Sequence, residues 1–507
     1  MRQLQNTNVG AFPRNAPQAE RQHSLSFAHF AEMRPHEGGV SQLTPQKDML
    51  WSRRGFLGGM AAFAALSGRT AVPLGGKRWF RGVLHAHSVW SDGHAFPEEA
   101  VEWYRSHGYH FLSLTDHNIF QDDANAWVKA QKKFGWRRPT QAIIDHYLKA
   151  HPKADVRRDE KGEVSVRLRT YEELRRLYDQ PGEFALYPGY EMTHSVVEPD
   201  GVLRQVHMNA INVPDLPSEY RTKDLVRQFK GLTASALIGQ KRAALEKVPA
   251  AADRPHLFIV NHPIWRWYDL GPETLIDNPD VRFFEVCNGG AALEVSKDLP
   301  DDGLDTDRFW DIVNAFRARR GQPLLYGIGT DDSHHYDGSR HPMCIPGNAW
   351  CRVRADSPRA EDVLPAMQRG DFLACEGLEA DDVSFDRASG TLRVSVAGEP
   401  GEVRKVTFIV SKRDFDEKPI RTLTIRHAKW PARRFRTANV YDERIGKVAK
   451  TVIGRPGEPI VASYTLAADD LYVRARIESP RPPLCKAALH PKNACCWTQP
   501  YPAARNA

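Results

Sequence analysis

Seven short apolar runs, nearly all ending in residues that can carry chemistry, limit what this chain can fold into. They are "GVLHAH" (82–87), "HFLSLTDH" (110–117), "FALYPGYE" (184–191), "VHMNAINV" (206–213), "HLFIVNHP" (256–263), "RFFEVCN" (282–288) and "LLYGIGTDDSH" (324–334). Helix-like segments separate most of them, among them "PEEAVEWYRSHG" (97–108) and "TDRFWDIVNAFRARRG" (306–321). The second of these lays Phe309, Ile312, Val313 and Phe316 on one face. Strands alternating with helices predict an α/β fold with a mainly parallel sheet, and seven or eight such units predict a closed or nearly closed barrel. In a barrel the loops at one end of the strands converge on a single mouth, so residues ending the runs are brought together.

His85 and His87 stand two apart, which on a strand points both rings to one face and Ala86 to the other. Asp92 follows in a Ser-Asp-Gly turn, where Gly93 permits the tight backbone that returns the carboxylate to the mouth. The next run supplies His117, with Asp116 beside it as a catalytic carboxylate or as a group that orients a ligand. Glu191 ends the third run, His207 opens the fourth, His262 ends the fifth, and Asp332 and His334 close the seventh. A histidine taken alone is most often a surface or core residue, and His23, His29, His36, His94, His151, His427 and His490 are read that way. Six histidines and three carboxylates at six strand ends form a different pattern. That oxygen and nitrogen set, without thiolates, suits two or three divalent ions such as zinc, manganese or iron.

Together "HAHSVWSDG", "TDHN", the isolated Glu191, His207, His262 and "DSH" resemble the PHP family, named for polymerase and histidinol phosphatase. The resemblance covers about residues 78 to 378 and implies a distorted (β/α)7 barrel of the PHP type with a multinuclear metal site. It implies that His85, His87, Glu191 and Asp332 hold one ion, Asp92, His117 and His334 a second, and Glu191, His207 and His262 a third, with Glu191 bridging. "DDSHH" leaves the register of the last ligands open; Asp332 and His334 are preferred because they are two apart as on a strand, and His335 is a group that orients a ligand or a leaving-group acid. The implied activity is that of a metal-dependent phosphoesterase, in which a metal-bridging hydroxide attacks a small phosphomonoester or phosphodiester. Arg266, flanked by Trp265 and Trp267, is a candidate phosphate clamp. The same site could cleave a carboxyl or carbamate ester. A non-catalytic binding module with a retired site is a third reading, opposed by the complete ligand set. The chain has no Gly-x-Ser-x-Gly elbow and no Walker-type loop. Cys287 reads as a small buried residue at a strand end, with Glu285 and Asn288 as partners to the ligands.

At 507 residues the chain exceeds one ordinary core. Its formal charge is +7, but the first 71 residues hold eight Lys/Arg against four Asp/Glu and so supply +4, leaving +3 for the rest. That balance argues against a nucleic-acid partner. Residues 49–72 read as a twin-arginine signal: Ser52-Arg53-Arg54-Gly55-Phe56-Leu57 precedes an apolar run to Gly68. The twin-arginine export machinery is thus an expected partner and the periplasm or exterior the expected location. Gly55 to Gly68 falls short of the roughly twenty residues that span a bilayer, so no stable membrane anchor is expected. Residues 1–48 lack a hydrophobic period and are expected to be disordered or to precede a true start at Met49.

The barrel is expected over 73–378. Within it, the charged stretch 121–182 is too long for a connection and reads as a cap over the mouth, where substrate is chosen, in preference to a solvated insertion. From 379 to 507, period-two stretches such as "TLRVSVAG", "VRKVTFIVSK" and "LYVRARIES" predict a small antiparallel β-sandwich. Of seven cysteines, Cys485 could pair with Cys495 or Cys496 in an oxidising compartment.

Overall fold

Each of the seven apolar runs contains strand structure in the computed structural model. The described residues are 77–504, apart from 131–138, 200, 214–226, 250–252, 266–269, 291–303, 337–343, 427–434 and 483–492. The signal stretch 49–72, residues 1–48, Arg266, Trp267, Cys485 and the histidines at 23, 29, 36, 427 and 490 lie outside them.

The protein is a mixed α/β chain with several sheets and few helices. Strands Arg78–Val83, Phe111–Ser113 and Ala185–Tyr187 pair in parallel. A second sheet runs in the order Tyr326–Thr330, Phe283–Asn288, Leu257–Val260, Leu203–Ile211, Gly189–Val197 and Arg227–Lys230. The first three of these are parallel. Gly189–Val197 and Leu203–Ile211 instead form an antiparallel hairpin, because only five residues separate them and a parallel return needs a crossover of a dozen or more.

The expected closed barrel is therefore corrected to two open sheets. The break falls inside the third run, at Pro188, which has no N–H to give a ladder. There the chain leaves one sheet and enters the other. It passes so close to the neighbouring strand that a Cβ on Gly189 would lie 2.3 Å from Ser113 Oγ. Among the described residues, single backbone bridges join the sheets again at His117 with Glu191 and at Ala86 with Ser333. Those bridges join the ends of strands, where the candidate ligands are.

Helix Thr306–Arg319 begins at Asp305, whose side chain accepts the Arg308 N–H, and buries Phe309, Trp310, Ile312, Val313 and Phe316. Each such side chain contributes roughly 1.5–3 kcal/mol of burial. The C-terminal strands Ala494–Thr498, Asp470–Ser479, Lys405–Lys412 and Lys447–Ile453 continue the first sheet through Phe372–Glu376 and Ala349–Ala355. A three-stranded sheet of Asp382–Asp386, Thr391–Val396 and Ile460–Thr465 packs on them through Val394, Val396, Ile460 and Ala462. The β region thus has the two facing sheets of a sandwich, but one of them shares its backbone ladder with the α/β strands.

The 121–182 segment builds a small sheet of Trp127–Lys129, Val156–Arg158 and Val164–Arg167 with helices Gln141–Ala150 and Tyr171–Tyr178. Val128, Ile144, Tyr147, Val166 and Leu168 pack on Val89, Trp90 and Phe96, so the segment rests on the loop that carries Asp92. No helix among the described residues is long and apolar enough to cross a membrane.

Candidate metal centre

His85 and His87 sit just beyond the strand Arg78–Val83, in extended chain held by backbone bonds on both sides. Asp332 N–H donates to His85 O at 2.9 Å, His87 N–H to Ser333 O at 2.9 Å, and Thr115 N–H to Ala86 O at 2.8 Å. Asn118 N–H donates to Glu191 O at 2.7 Å and Asn261 N–H to His207 O at 3.0 Å. Neighbouring strand ends are therefore pinned one to the next, which brings residues up to 249 positions apart into one cluster without a closed sheet.

All nine predicted ligands converge. His85 Nε2 and His87 Nε2 are 3.1 Å apart, and Asp332 Oδ1 lies 3.3 Å from the first and 3.0 Å from the second. Asp92 faces His117 and His334, each Nε2 lying 3.3 Å from a carboxylate oxygen, and His87 Nδ1 approaches it at 3.7 Å. His87 thus stands between two groupings that the sequence reading kept apart. Glu191 is the hub: its oxygens lie 3.5 Å from His85, 3.7 Å from His87, 2.5 Å from His117, 2.9 Å from His207 and 3.7 Å from His262. Four overlapping sets of three or four potential donor atoms, all within 4.8 Å of one another, result. One of them adds Glu285 to His85 and His262.

The backbone is strained where it delivers these groups. Asp332 has φ of 48° and His262 has φ of 25°, a region that non-glycine residues seldom occupy. Asp332 and His334 consequently do not continue a strand, which ends at Thr330, and reach the cluster from an irregular turn. Gly93 is needed for another reason: a Cβ there would lie 2.6 Å from the Ser88 backbone.

Electrostatically the cluster calls for positive charge. Among the described residues no lysine or arginine pairs with Asp92, Glu191 or Asp332, so the positive charge they meet is carried by imidazoles. Burial works against a charged His117, but Asp92 and Glu191 outweigh it and carry the ring up to about 10. The rings of His85 and His334 are raised well above their ordinary value against the same burial, the first by Asp332, Glu285 and Glu191 and the second by Asp92. Burial and the adjacent rings of His334 and His117 push His87 down to about 4. Burial would raise the carboxyls, yet His117, His207 and His85 hold Glu191 well below the usual range, and His117 and His334 do the same to Asp92. Buried imidazoles and carboxylates without thiolates match borderline or hard divalent ions, so the donors fit the group that the sequence implied.

Around the nine stands a layer of groups that fix them. Glu285 Oε1 lies 2.6 Å from His85 Nδ1, while Oε2 accepts the His262 N–H at 2.9 Å and Asn288 Nδ2 at 2.7 Å, the outer contact that sets a ligating ring's orientation. Glu285 and Asn288 thus stand beside the candidate ligands, as their place in "RFFEVCN" predicts. Asp116, expected as a catalytic carboxylate or as a group that orients a ligand, has the surroundings of the second. Its two oxygens accept five hydrogen bonds, from Ser88 N and Oγ, Ser91 N and Oγ, and Gln121 Nε2, at 2.6–3.0 Å, and it is fully buried. The carboxylate points into the 88–91 loop and ties down the segment that bears Asp92. His335 lies at the rim with its ring edge-on to His94, centroids 4.1 Å apart, which gives the supposed bystander His94 a place beside the site. Trp265 stacks on His262 at 4.0 Å. Cys287 turns its Sγ toward the Cys375 carbonyl in the core.

Asn209 and Asn261, which the sequence does not mark, and Asp331, set aside in favour of Asp332, also belong to the site. Asn261 Nδ2 donates to Glu191 Oε1 at 2.8 Å and to Asn209 Oδ1 at 2.9 Å. Asp331 accepts Tyr104 Oη and the N–H groups of Gly347, Asn348 and Ala349, and burial lifts it to about 6. Asn209 was legible in principle, since it stands two beyond His207 on the same strand face. Asp331 was not, because its partners come from a distant loop.

No protein-family profile matches the sequence, and no curated protein does. Among solved structures, the chain aligns with a two-domain protein from Bacteroides vulgatus containing a predicted PHP-like metal-dependent phosphoesterase. That alignment has 15% identity, covers 84% of this chain and 96% of the other, and has a TM-score of 0.34. A second aligns it with a protein from Bifidobacterium adolescentis whose assignment as a metal-dependent phosphoesterase is itself an inference. It has 16% identity, covers 51% and 90%, and has a TM-score of 0.25.

Proposed function

We propose that the protein is a PHP-type metal-dependent phosphoesterase. The observation that carries this reading is the hub formed by Glu191, which gathers five histidines from four different strands or strand ends within 3.7 Å of its carboxylate. His85, His87, Glu191 and Asp332 would hold one cation, and His87, Asp92, His117 and His334 a second, with Glu191, His207 and His262 available to a third. Bound divalent cations supply Lewis acidity, which acidifies water and polarises a phosphoryl oxygen.

The chain's own residues do the rest. Glu285 keeps His85 Nε2 aimed inward by accepting a hydrogen bond from Nδ1–H. Asp116 holds the 88–91 loop so that Asp92 reaches His117 and His334, and the cap packs over that loop and keeps it from solvent. Trp265 fixes the His262 ring by stacking. Among the described residues no arginine pairs with the site's carboxylates, so the negative charge of an ester would be met there by the cations.

Purified protein should contain divalent metal by elemental analysis, and chelation should abolish hydrolysis of aryl phosphates or bis-aryl phosphodiesters. Metal-free protein with chelator-insensitive activity would overturn the reading. So would a preference of several orders of magnitude for aryl carbamates or carboxyl esters in a parallel assay. We further propose export of the enzyme through the Arg53-Arg54 signal. Replacing both by Lys should leave the protein in the cytoplasmic fraction, and unchanged fractionation would refute it.

A further inference from the structure

Cys375 and Cys496 face each other across two buried strands. They are direct register partners on the antiparallel strands Phe372–Glu376 and Ala494–Thr498. Their sulfurs are 3.7 Å apart, and both side chains are 0% exposed. Paired residues on antiparallel strands have Cα atoms roughly 4.5–5.5 Å apart. That spacing falls inside the roughly 4.4–6.8 Å that a disulfide spans. The alternation of the strand decides which of two adjacent cysteines is presented. Cys496 packs with Cys375, Leu373 and Val394, whereas Cys495 turns to the opposite core beside Trp497, its Sγ approaching the Asn493 carbonyl at 3.5 Å.

We propose that Cys375 and Cys496 form a structural disulfide, made by thiol–disulfide exchange with a glutathione-type or protein disulfide while the last strand docks. Two S–H bonds and the donor's S–S bond break, one S–S bond forms between Cys375 and Cys496, and the two protons and two electrons leave on the donor as a pair of thiols. Exchange has to precede closure because neither sulfur is reachable in the folded chain. The bond would join positions 121 residues apart, a loop long enough for the constraint on the unfolded chain to be large.

The staple also lies behind the candidate metal centre. Gln499, just past the strand, accepts the Gly327 N–H at 2.9 Å and donates to the Gly327 carbonyl at 2.8 Å. Gly327 belongs to strand Tyr326–Thr330, which leads directly into Asp332. Fixing the final strand therefore supports the strand that delivers a ligand. The inference does not depend on the phosphoesterase reading, since it requires only the register of two strands.

The test is oxidative refolding of the full chain in mixed reduced and oxidised glutathione, followed by alkylation and peptide mapping. A linked pair of peptides holding Cys375 and Cys496 is expected, and it should vanish on reduction. The melting temperature should fall by roughly 5 °C on reduction in the wild type and not in Cys496→Ala. Soluble refolded protein with alkyl groups on both sulfurs would overturn the proposal. A link from Cys495 or Cys485 in place of Cys496 would do the same. Mapping the wild type keeps the question decidable even if the alanine variant folds poorly.

Discussion

The candidate metal centre and a buried knot of charge in the β region are built on opposite principles. Behind helix Thr306–Arg319, Arg474 reaches Asp311 with Nε at 2.8 Å and Nη2 at 2.6 Å, and Asp307 with Nη1 at 2.7 Å. Arg476, Tyr472 and Trp497 complete that knot. Each carboxylate there meets a guanidinium or a neutral donor, so its lone pairs are spent and the group is structural. At the strand ends, three carboxylates meet six imidazoles, whose nitrogens can be acceptors as readily as donors. A cluster closed by arginine has nothing left to offer a cation, while one closed by histidine keeps donor atoms available.

Glu191→Gln should sharpen that contrast most. Phosphoester hydrolysis is expected to drop by about a thousandfold, near 4 kcal/mol, with loss of bound metal by elemental analysis. The metal-stripped variant should also differ in stability from the stripped wild type, since His117 and His85 lose a counter-charge, so bound metal is the readout that separates the two clusters. Retained metal and activity in this variant would erase the distinction between the clusters. Arg474→Met probes the other side. It strands Asp311 and Asp307 in the core and should cost about 3–5 kcal/mol in denaturant unfolding, with activity per folded molecule preserved.

Glu285→Gln is expected to act between these extremes. It removes the charge that orients His85 without removing a predicted ligand, and should weaken metal affinity by about 10–100-fold in a competition titration. The smallest effect belongs to the cap. Arg167 hydrogen-bonds Glu173 and holds its carboxyl down to about 2, below an ordinary value of 4.5. A carboxyl lowered in the folded state stabilises above its unfolded value and loses that contribution as pH falls through the folded one. The difference in urea midpoint between wild type and Glu173→Gln, worth about 1 kcal/mol or less at pH 7, should therefore shrink between about pH 4.5 and pH 2. A difference that grows toward low pH would contradict the pairing.

Most of the strands were legible, because a short apolar run bounded by polar residues says the same thing wherever it pairs. The parallel barrel expected from them was not what formed. Pro188 and the short connection after Val197 turn the middle of the chain into a hairpin and leave two open sheets. The β region was legible as alternation along "LYVRARIES". Its Arg474 face packs on a helix that lies more than 150 residues earlier, which alternation cannot reveal.

The candidate site divides along the same line. His85, His87, Asp92 and the other six could be named from their positions at the ends of runs, since side-chain type and period are local properties. Their grouping around Glu191, the turning of Asp116 into the 88–91 loop, and the choice of Cys496 over Cys495 opposite Cys375 depend on which strands lie side by side and in what register. A sequence determines which groups are present and which way they alternate along their own strand. Only tertiary structure decides what each one meets, because pairing register and long-range contact are settled by the packing of the whole chain.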